Sequence, residues 1–247
     1  MNTNWWEDFF NGIALDFWRA AVTEEQTRAE ADFIQRLLQL DAGARILDVP
    51  CGNGRVAIDL AARGFGLTGV DIASEFIGEA KAKSVERDLR IGWHHRDMRD
   101  LPWITEFDGS FCFGNSFGYL DDEGNANFLK AVARVMKPGA RFVLDAPAVA
   151  ECLLPAFQER RWFEIGGITF LSNSRYDHEQ GRTFTEYTFI RDGKVDKRPA
   201  SQRIYTYNEL VRLVSDAGFE ITASYGSLDE APFKLGSQRL LTVAQKR

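Results

Sequence analysis

The stretch "RILDVPCGNGRVA", residues 45–57, restricts the fold more than any other part of the chain. A short β-branched run enters a glycine-containing turn and leaves as an apolar helical pattern, which is how a parallel α/β sheet begins. Gly52, Gly54 and Ala57 satisfy G-x-G-x-x-G/A at that junction. Glycine has no Cβ, so a ligand can lie against such a turn and meet amide N–H groups at the helix N-terminus.

The pattern repeats downstream. The runs "RILDV", "GLTGVD", "RIGWHH", "GSFCFG" and "ARFVLDAP" alternate with amphipathic stretches such as 56–63 and 125–136, the second stopped by Pro138 and Gly139. These are βαβ units, and they predict a Rossmann-like, mostly parallel sheet. Ahead of them, Thr23 and Gln26 suggest a capping box for a helix whose Ala29, Phe33, Leu37 and Leu40 share a face. Past Glu159 the texture changes to β-branched and aromatic runs separated by Gly166-Gly167, "DHEQGR" and Asp192-Gly193. Turn residues at these intervals predict antiparallel hairpins over about 159–205. Thr206 and Glu209 then cap a helix with Leu210, Leu213, Val214 and Ala217 on one face, and "FEITASYG" and "SQRLLTVAQK" return to the main sheet. The expected organisation is one domain over 1–247, with an N-terminal helical lid at about 1–40 and an antiparallel β insertion.

Composition removes several classes of function. A formal net charge of −6 offers no basic field for a nucleic-acid duplex or an anionic membrane. No apolar run approaches the roughly 20 residues that cross a bilayer. Cys51, Cys112 and Cys152 are scattered and odd in number, which argues against a disulfide framework or a zinc site and for a reducing, cytoplasmic setting.

Asp48 narrows the ligand. A carboxylate at the end of the first strand would repel a pyrophosphate and favour positive charge at the same place. S-adenosylmethionine meets that condition with its sulfonium and amino groups, and its ribose needs an acceptor at the end of the second strand. Asp71 stands there, about 20 residues beyond the glycines. Asp97, after the third strand, could accept from the adenine amino group. Each acid also has a plainer use: Asp71 as the neighbour of Ser74, which looks like a helix N-cap, and Asp97 in a loop that also holds Asp100.

In order and spacing, "LDVPCGNG", "GVDIA", "RDM", "FDGSFCFGNSFGYL" and "MKPGARFVLD" resemble the class I S-adenosylmethionine-dependent methyltransferases over about residues 23–247. "GNSFGYL" together with "LDVPCGNG" is similar to the glycine and sarcosine N-methyltransferase branch, which also carries an antiparallel insertion. The chain departs from the commonest pattern at Pro50, where a small residue is usual, and at Asn53, where threonine or serine is more frequent. The resemblance implies a seven-stranded sheet with its last strand antiparallel. It also implies a cofactor set of Arg28, Asp48, Gly52, Asn53, Gly54, Asp71, Ile72, Asp97, Met98 and Asn115, with Arg28 on the cofactor carboxylate.

Asn115, Ser116 and Tyr119 follow the fourth strand and border the space where an acceptor would meet the methionyl part of the cofactor. No catalytic residue is assigned, since His94 and His95 leave a strand as structural histidines commonly do. The expected reaction is methyl transfer to a small molecule, with an amine favoured because no base or metal cluster stands out. An NAD-dependent oxidoreductase and a noncatalytic S-adenosylmethionine-binding protein are the alternatives. The aromatic segment holding Trp5, Trp6, Phe9, Phe10 and Trp18 is either packing or, with Tyr176 and Tyr187 of the insertion, a roof over the acceptor. As a roof, its first 20 or so residues should be removable without unfolding the sheet. The hairpin insertion offers a surface for a homodimer.

Overall fold

Short β-rich runs alternating with amphipathic helices become two sheets in the computed structural model, which describes residues 4–247, leaving residues 1–3 of the expected lid outside. In chain order the strands are β1 (Arg45–Asp48), β2 (Gly66–Asp71), β3 (Gly92–His95), β4 (Phe107–Cys112), β5 (Met136–Asp145), β6 (Arg160–Ile165), β7 (Ile168–Asp177), β8 (Arg182–Arg191), β9 (Lys194–Arg203), β10 (Phe219–Tyr225) and β11 (Leu241–Lys246). The main sheet has the order β10-β11-β5-β4-β1-β2-β3. Its neighbours from β3 through β5 are parallel, while β11 runs antiparallel to both β5 and β10. The fold is therefore the Rossmann-like seven-stranded sheet with one antiparallel strand. Ile46, Leu47, Phe111, Phe142, Val143 and Leu144 are buried along its central strands, as expected where helices cover both faces.

The helices are α1 (Gly12–Ala21), α2 (Glu24–Leu38), α3 (Arg55–Ala62), α4 (Ser74–Glu86), α5 (Asp122–Val135), α6 (Ala150–Leu153) and α7 (Tyr207–Asp216). Four local expectations are revised. Thr23 Oγ1 accepts from the Gln26 amide at 3.1 Å, but the Gln26 side chain turns to Glu30, so the capping box is half formed. The buried face of α2 is Glu30, Ala31, Phe33, Ile34, Leu37 and Leu38; Ala29 is exposed, and Leu40 lies beyond the helix end. Ser74 is the first helical residue of α4 and caps nothing. Helix α5 starts three residues before Asn125 because Asp121 accepts from the Gly124 amide at 2.7 Å. At α7 the Thr206–Glu209 box is complete. No helix among the described residues is long and apolar enough to cross a membrane.

Strands β6 to β9 form a separate four-stranded meander. Its Gly166-Gly167 and Asp192-Gly193 turns hold positive φ at both positions, the twist that two-residue hairpins need. The N-terminal segment is wedged against this sheet. Phe17 stacks on Phe170 at 4.4 Å, Phe9 meets Tyr187 and Phe189, and Trp5 Nε1 donates to the Ser201 carbonyl at 3.0 Å. Trp5, Trp6, Phe9 and Phe17 are all buried in the larger core cluster. The expectation that this segment is removable fails for that reason. Deleting it would expose apolar surface that both sheets share.

Candidate active site

A cavity of about 550 Å³ opens beyond the carboxyl ends of β1 to β4. Its floor is the glycine turn. Gly52 has φ +53° and open space where a Cβ would point, and its amide donates to Asp71 Oδ2 at 2.7 Å. Gly54 differs, because it does not line the cavity. At φ +72°, its missing Cβ makes room for the indole of Trp93, a use that the loop pattern does not disclose.

Asp71 lines the cavity, with Oδ1 accepting from the Ala73 amide at 2.9 Å. Each of its oxygens keeps one lone pair for a ligand hydroxyl. Burial raises its pKa, with the Ala73 and Gly52 amides partly offsetting that. Asp48 is buried behind the turn and does not itself line the cavity. Burial drives its carboxyl well above the usual range, against the opposing pull of Arg55 and with help from Asp71. Its side chain makes no hydrogen bond or ion pair within the described residues. A buried carboxylate in that state is stabilised by an incoming cation and penalised by a phosphate.

Around this floor the lining is apolar where a base could lie: Ile72, Phe76, Met98 and Phe10, with Phe10 and Phe76 rings 5.6 Å apart. Asp97 lines the same end, held by Arg99 through its backbone amide and guanidinium at 2.6–2.9 Å. Burial would raise its pKa, but the Arg99 bonds outweigh that and hold it low. One lone pair on Oδ2 remains available. Arg28 also lines the cavity and pairs with Glu24 across one helical turn at 3.2 Å. Asn53 lines the cavity and donates to Glu79, which also holds Arg19 at 2.6 Å and Lys83 at 2.5 Å. Through Arg19, helix α1 is thus tied to α4 and to the glycine turn.

Asn115, Ser116 and Tyr119 all line the cavity. Asn115 sits at φ +67° and is fixed by Gln202 of β9, whose amide nitrogen donates to Asn115 Oδ1 at 3.0 Å and to the Phe117 carbonyl at 2.9 Å. Burial raises the Tyr119 phenol, and Trp5 packs on its ring at 4.7 Å. The cavity's aromatic cover is Trp6, Phe10 and Trp18. Trp5, Phe9, Tyr176 and Tyr187, the side chains expected to roof it, do not line it. Trp5 and Phe9 are instead packed between the cover and the small sheet. The indole N–H groups of Trp6 and Trp18 are buried without a partner, which leaves two donors for a ligand oxygen. Neither His94, set against Trp103, nor His95, bonded to the Ile72 carbonyl at 2.8 Å, lines the cavity.

Sequence reasoning did not find the charged network under this site. Glu30 is 1% exposed and holds both Arg55 and Arg239, the latter at 3.2 Å, while Arg239 also holds Asp145 at 2.5 Å. Asp145 in turn accepts from the Gly114 amide at 3.2 Å, which links α2, α3, β5 and the loop after β4. A glutamate on the apolar face of α2 was the available signal.

The carboxylate without a partner, the open lone pairs of Asp71, the apolar slot and the two unpaired indole donors fit an adenosyl cofactor with a cationic centre and a carboxylate. Comparisons with known proteins agree. A family described as a methyltransferase domain matches residues 46–139. A protein of Geobacillus sp. (strain WCH70) named as a methyltransferase is 27% identical over 98% of this chain and 97% of its own length. An O-methyltransferase of Aspergillus sclerotiorum is 28% identical over 88% of this chain and 85% of its own. Among solved structures, an S-adenosylmethionine-bound amino pentose methyltransferase of Micromonospora echinaspora has a TM-score of 0.71 at 20% identity, covering 97% of this chain and 99% of that one.

Proposed function

We propose that this chain, a class I S-adenosylmethionine-dependent methyltransferase, methylates a small molecule at an amine nitrogen. What carries the nitrogen reading is the set of groups around the acceptor space. No histidine lines it among the described residues, and burial raises the Tyr119 phenol away from neutrality. A hydroxyl acceptor needs a base to take its proton, whereas the free base of an amine brings its own lone pair. A solved sugar N-methyltransferase of like fold supports the same reading, and the fungal O-methyltransferase sets the alternative.

The chemistry that S-adenosylmethionine supplies there is a methyl group activated on a sulfonium. In this reading Asp71 accepts the ribose hydroxyls, Asp97 the adenine amino group, and Ile72, Phe76 and Met98 hold the base. Asp48 contributes negative charge beneath the turn, and Arg28 with the Trp18 N–H takes the carboxylate. Gly52 and Asn53 set the backbone against the ligand. Asn115, held by Gln202, borders the acceptor with Ser116 and Tyr119. The chain's contribution is alignment and exclusion of water, which together can lower a barrier by about 7–11 kcal/mol. We read residues 1–247 as one catalytic unit in which the N-terminal segment covers the site and the small sheet buttresses that cover. The enclosure favours a small acceptor over a nucleic acid.

The test is a methyl-transfer screen of the full chain over small amines, hydroxyl compounds, peptides and oligonucleotides, measuring S-adenosylhomocysteine release. Turnover with amines, falling as pH drops through the amine's own pKa, is expected. Turnover confined to hydroxyl compounds overturns the nitrogen reading and leaves the cofactor assignment standing.

A further inference from the structure

The two edges of the small sheet are treated in opposite ways. Strand β9 carries Lys194, Lys197 and Pro199, and the N-terminal segment lies along it through the Trp5 bond to Ser201 and the Arg198 bond to the Phe9 carbonyl. Those are common ways to keep a sheet edge from pairing. Strand β6, "RRWFEI", has no lysine, no proline and no segment bonded along it, and its charges are of both signs. Five of its six residues are exposed, with Trp162 at 69% and Phe163 at 46%.

The register determines which groups face outward. Gly166-Gly167 is a two-residue turn, so Ile165 and Ile168 form a hydrogen-bonded pair and the ladder alternates from there. Phe163 and Arg161 thus bond to β7, while Arg160, Trp162 and Glu164 turn their backbone N–H and C=O groups to the open edge. The same three residues place their side chains on one face, opposite Asn173, Leu171 and Thr169, away from the buried Phe170 and Ile168. The Arg160 and Glu164 side chains make no hydrogen bond or ion pair within the described residues.

An antiparallel strand placed on this edge by a two-fold axis normal to the sheet keeps both faces in common. Centred on Trp162, it sets Trp162 against its own copy, Arg160 against Glu164 of the copy, and Glu164 against Arg160. All three pairs fall at positions whose backbone groups are free, so each exchanges two hydrogen bonds. The charge pattern is complementary to itself about that axis.

We propose that β6 is a homodimer interface, in which two copies of this chain join their small sheets edge to edge about a two-fold axis through Trp162. The partner is a second copy because the strand offers a matching pattern of charge, aromatic side chain and open hydrogen bonds to itself. The surface lies apart from the cavity, so dimer formation is independent of the acceptor's identity.

The test is sedimentation of the full chain over a concentration series. Wild type is expected to be a dimer. Arg160→Glu and Glu164→Arg each turn two attractive cross-strand pairs into repulsive ones and should weaken the dimer by about tenfold or more. The double variant Arg160→Glu/Glu164→Arg exchanges the two charges and should recover most of that loss. Trp162→Lys should give a monomer with unchanged circular dichroism, since the side chain is exposed. A monomeric wild type, a dimer indifferent to either single reversal, or a double variant no better than the singles would each overturn the proposal.

Discussion

Replacing Gly54 by alanine separates the two tasks that the glycine turn combines. The new Cβ would stand 2.3 Å from Cη2 of Trp93, 2.9 Å from Cζ3 and 3.0 Å from Cζ2. The indole has little room to retreat. Its Nε1 donates to Ser84 Oγ at 3.1 Å, and its other edge already fills the space above Gly69. Holding alanine at φ +72° costs about 1–2 kcal/mol, and overpacking a ring of this kind about 1–3 kcal/mol. Gly54→Ala should therefore lose about 2–5 kcal/mol of stability. Gly52→Ala meets no atom within 4 Å, so only the backbone cost of about 1–2 kcal/mol applies. Its methyl, however, enters the cavity that Gly52 lines. Denaturant unfolding should rank Gly54→Ala as the worse folder, and calorimetric titration of S-adenosylhomocysteine should rank Gly52→Ala as the worse binder. Trimming the ring by Trp93→Leu in the Gly54→Ala background removes the overpacking part, so the two changes should couple by about 1–3 kcal/mol. A Gly54→Ala protein within 1 kcal/mol of wild type on this ~1 kcal/mol scale, or strict additivity with Trp93→Leu, would refute the assignment of this glycine to packing.

Other outcomes follow from the carboxylates and from β9. Asp71→Ala should weaken cofactor binding by about 1.5–3 kcal/mol, since ligand hydroxyls lose a charged acceptor, and calorimetry on the folded variant checks it. Burial raises Asp48, so its ionisation is disfavoured by folding. The contribution of Asp48 to the stability of the cofactor-free protein should be fully present below the ordinary aspartate range and be lost as pH rises through the folded Asp48 pKa. A bound cation reverses that preference, so cofactor affinity should rise over the same window, and Asp48→Asn should flatten both profiles. Gln202→Ala releases Asn115 and the Phe117 carbonyl together; kcat should fall at least about tenfold with cofactor affinity nearly unchanged.

What could be read from the chain was what lies close along it. The strand–turn–helix junction, the ends of β2 and β3 and the hairpin turns are each set by fewer than a dozen neighbouring residues, and all stand where periodicity and turn chemistry place them. The remainder depends on partners far apart. Arg239 reaches Glu30 across 209 positions, and Gln202 reaches Asn115 across 87. No local pattern marks such pairs beforehand. Trp93 looked like one more aromatic in a short strand, yet it decides why Gly54 and Gly69 have no side chain. The N-terminal aromatics misled for a related reason. A segment rich in rings reads equally well as cover or as core, and here Trp6 belongs to both.

The wedge between the two sheets also fixes an order of events during synthesis. Trp5 finds its acceptor at Ser201, 196 positions later, and Asp16 finds Arg191 after 175. At about 5–20 residues per second, roughly 10–40 s pass between translation of the aromatic segment and translation of the strands that receive it. Until then its rings have no native surface on the small sheet to cover. The parallel strands can assemble in the meantime, since β1 to β5 are complete before β6 begins. Translation order therefore lets the cofactor floor form before its cover is anchored, and in that interval a hydrophobic-binding chaperone would find its target at the end that left the ribosome first.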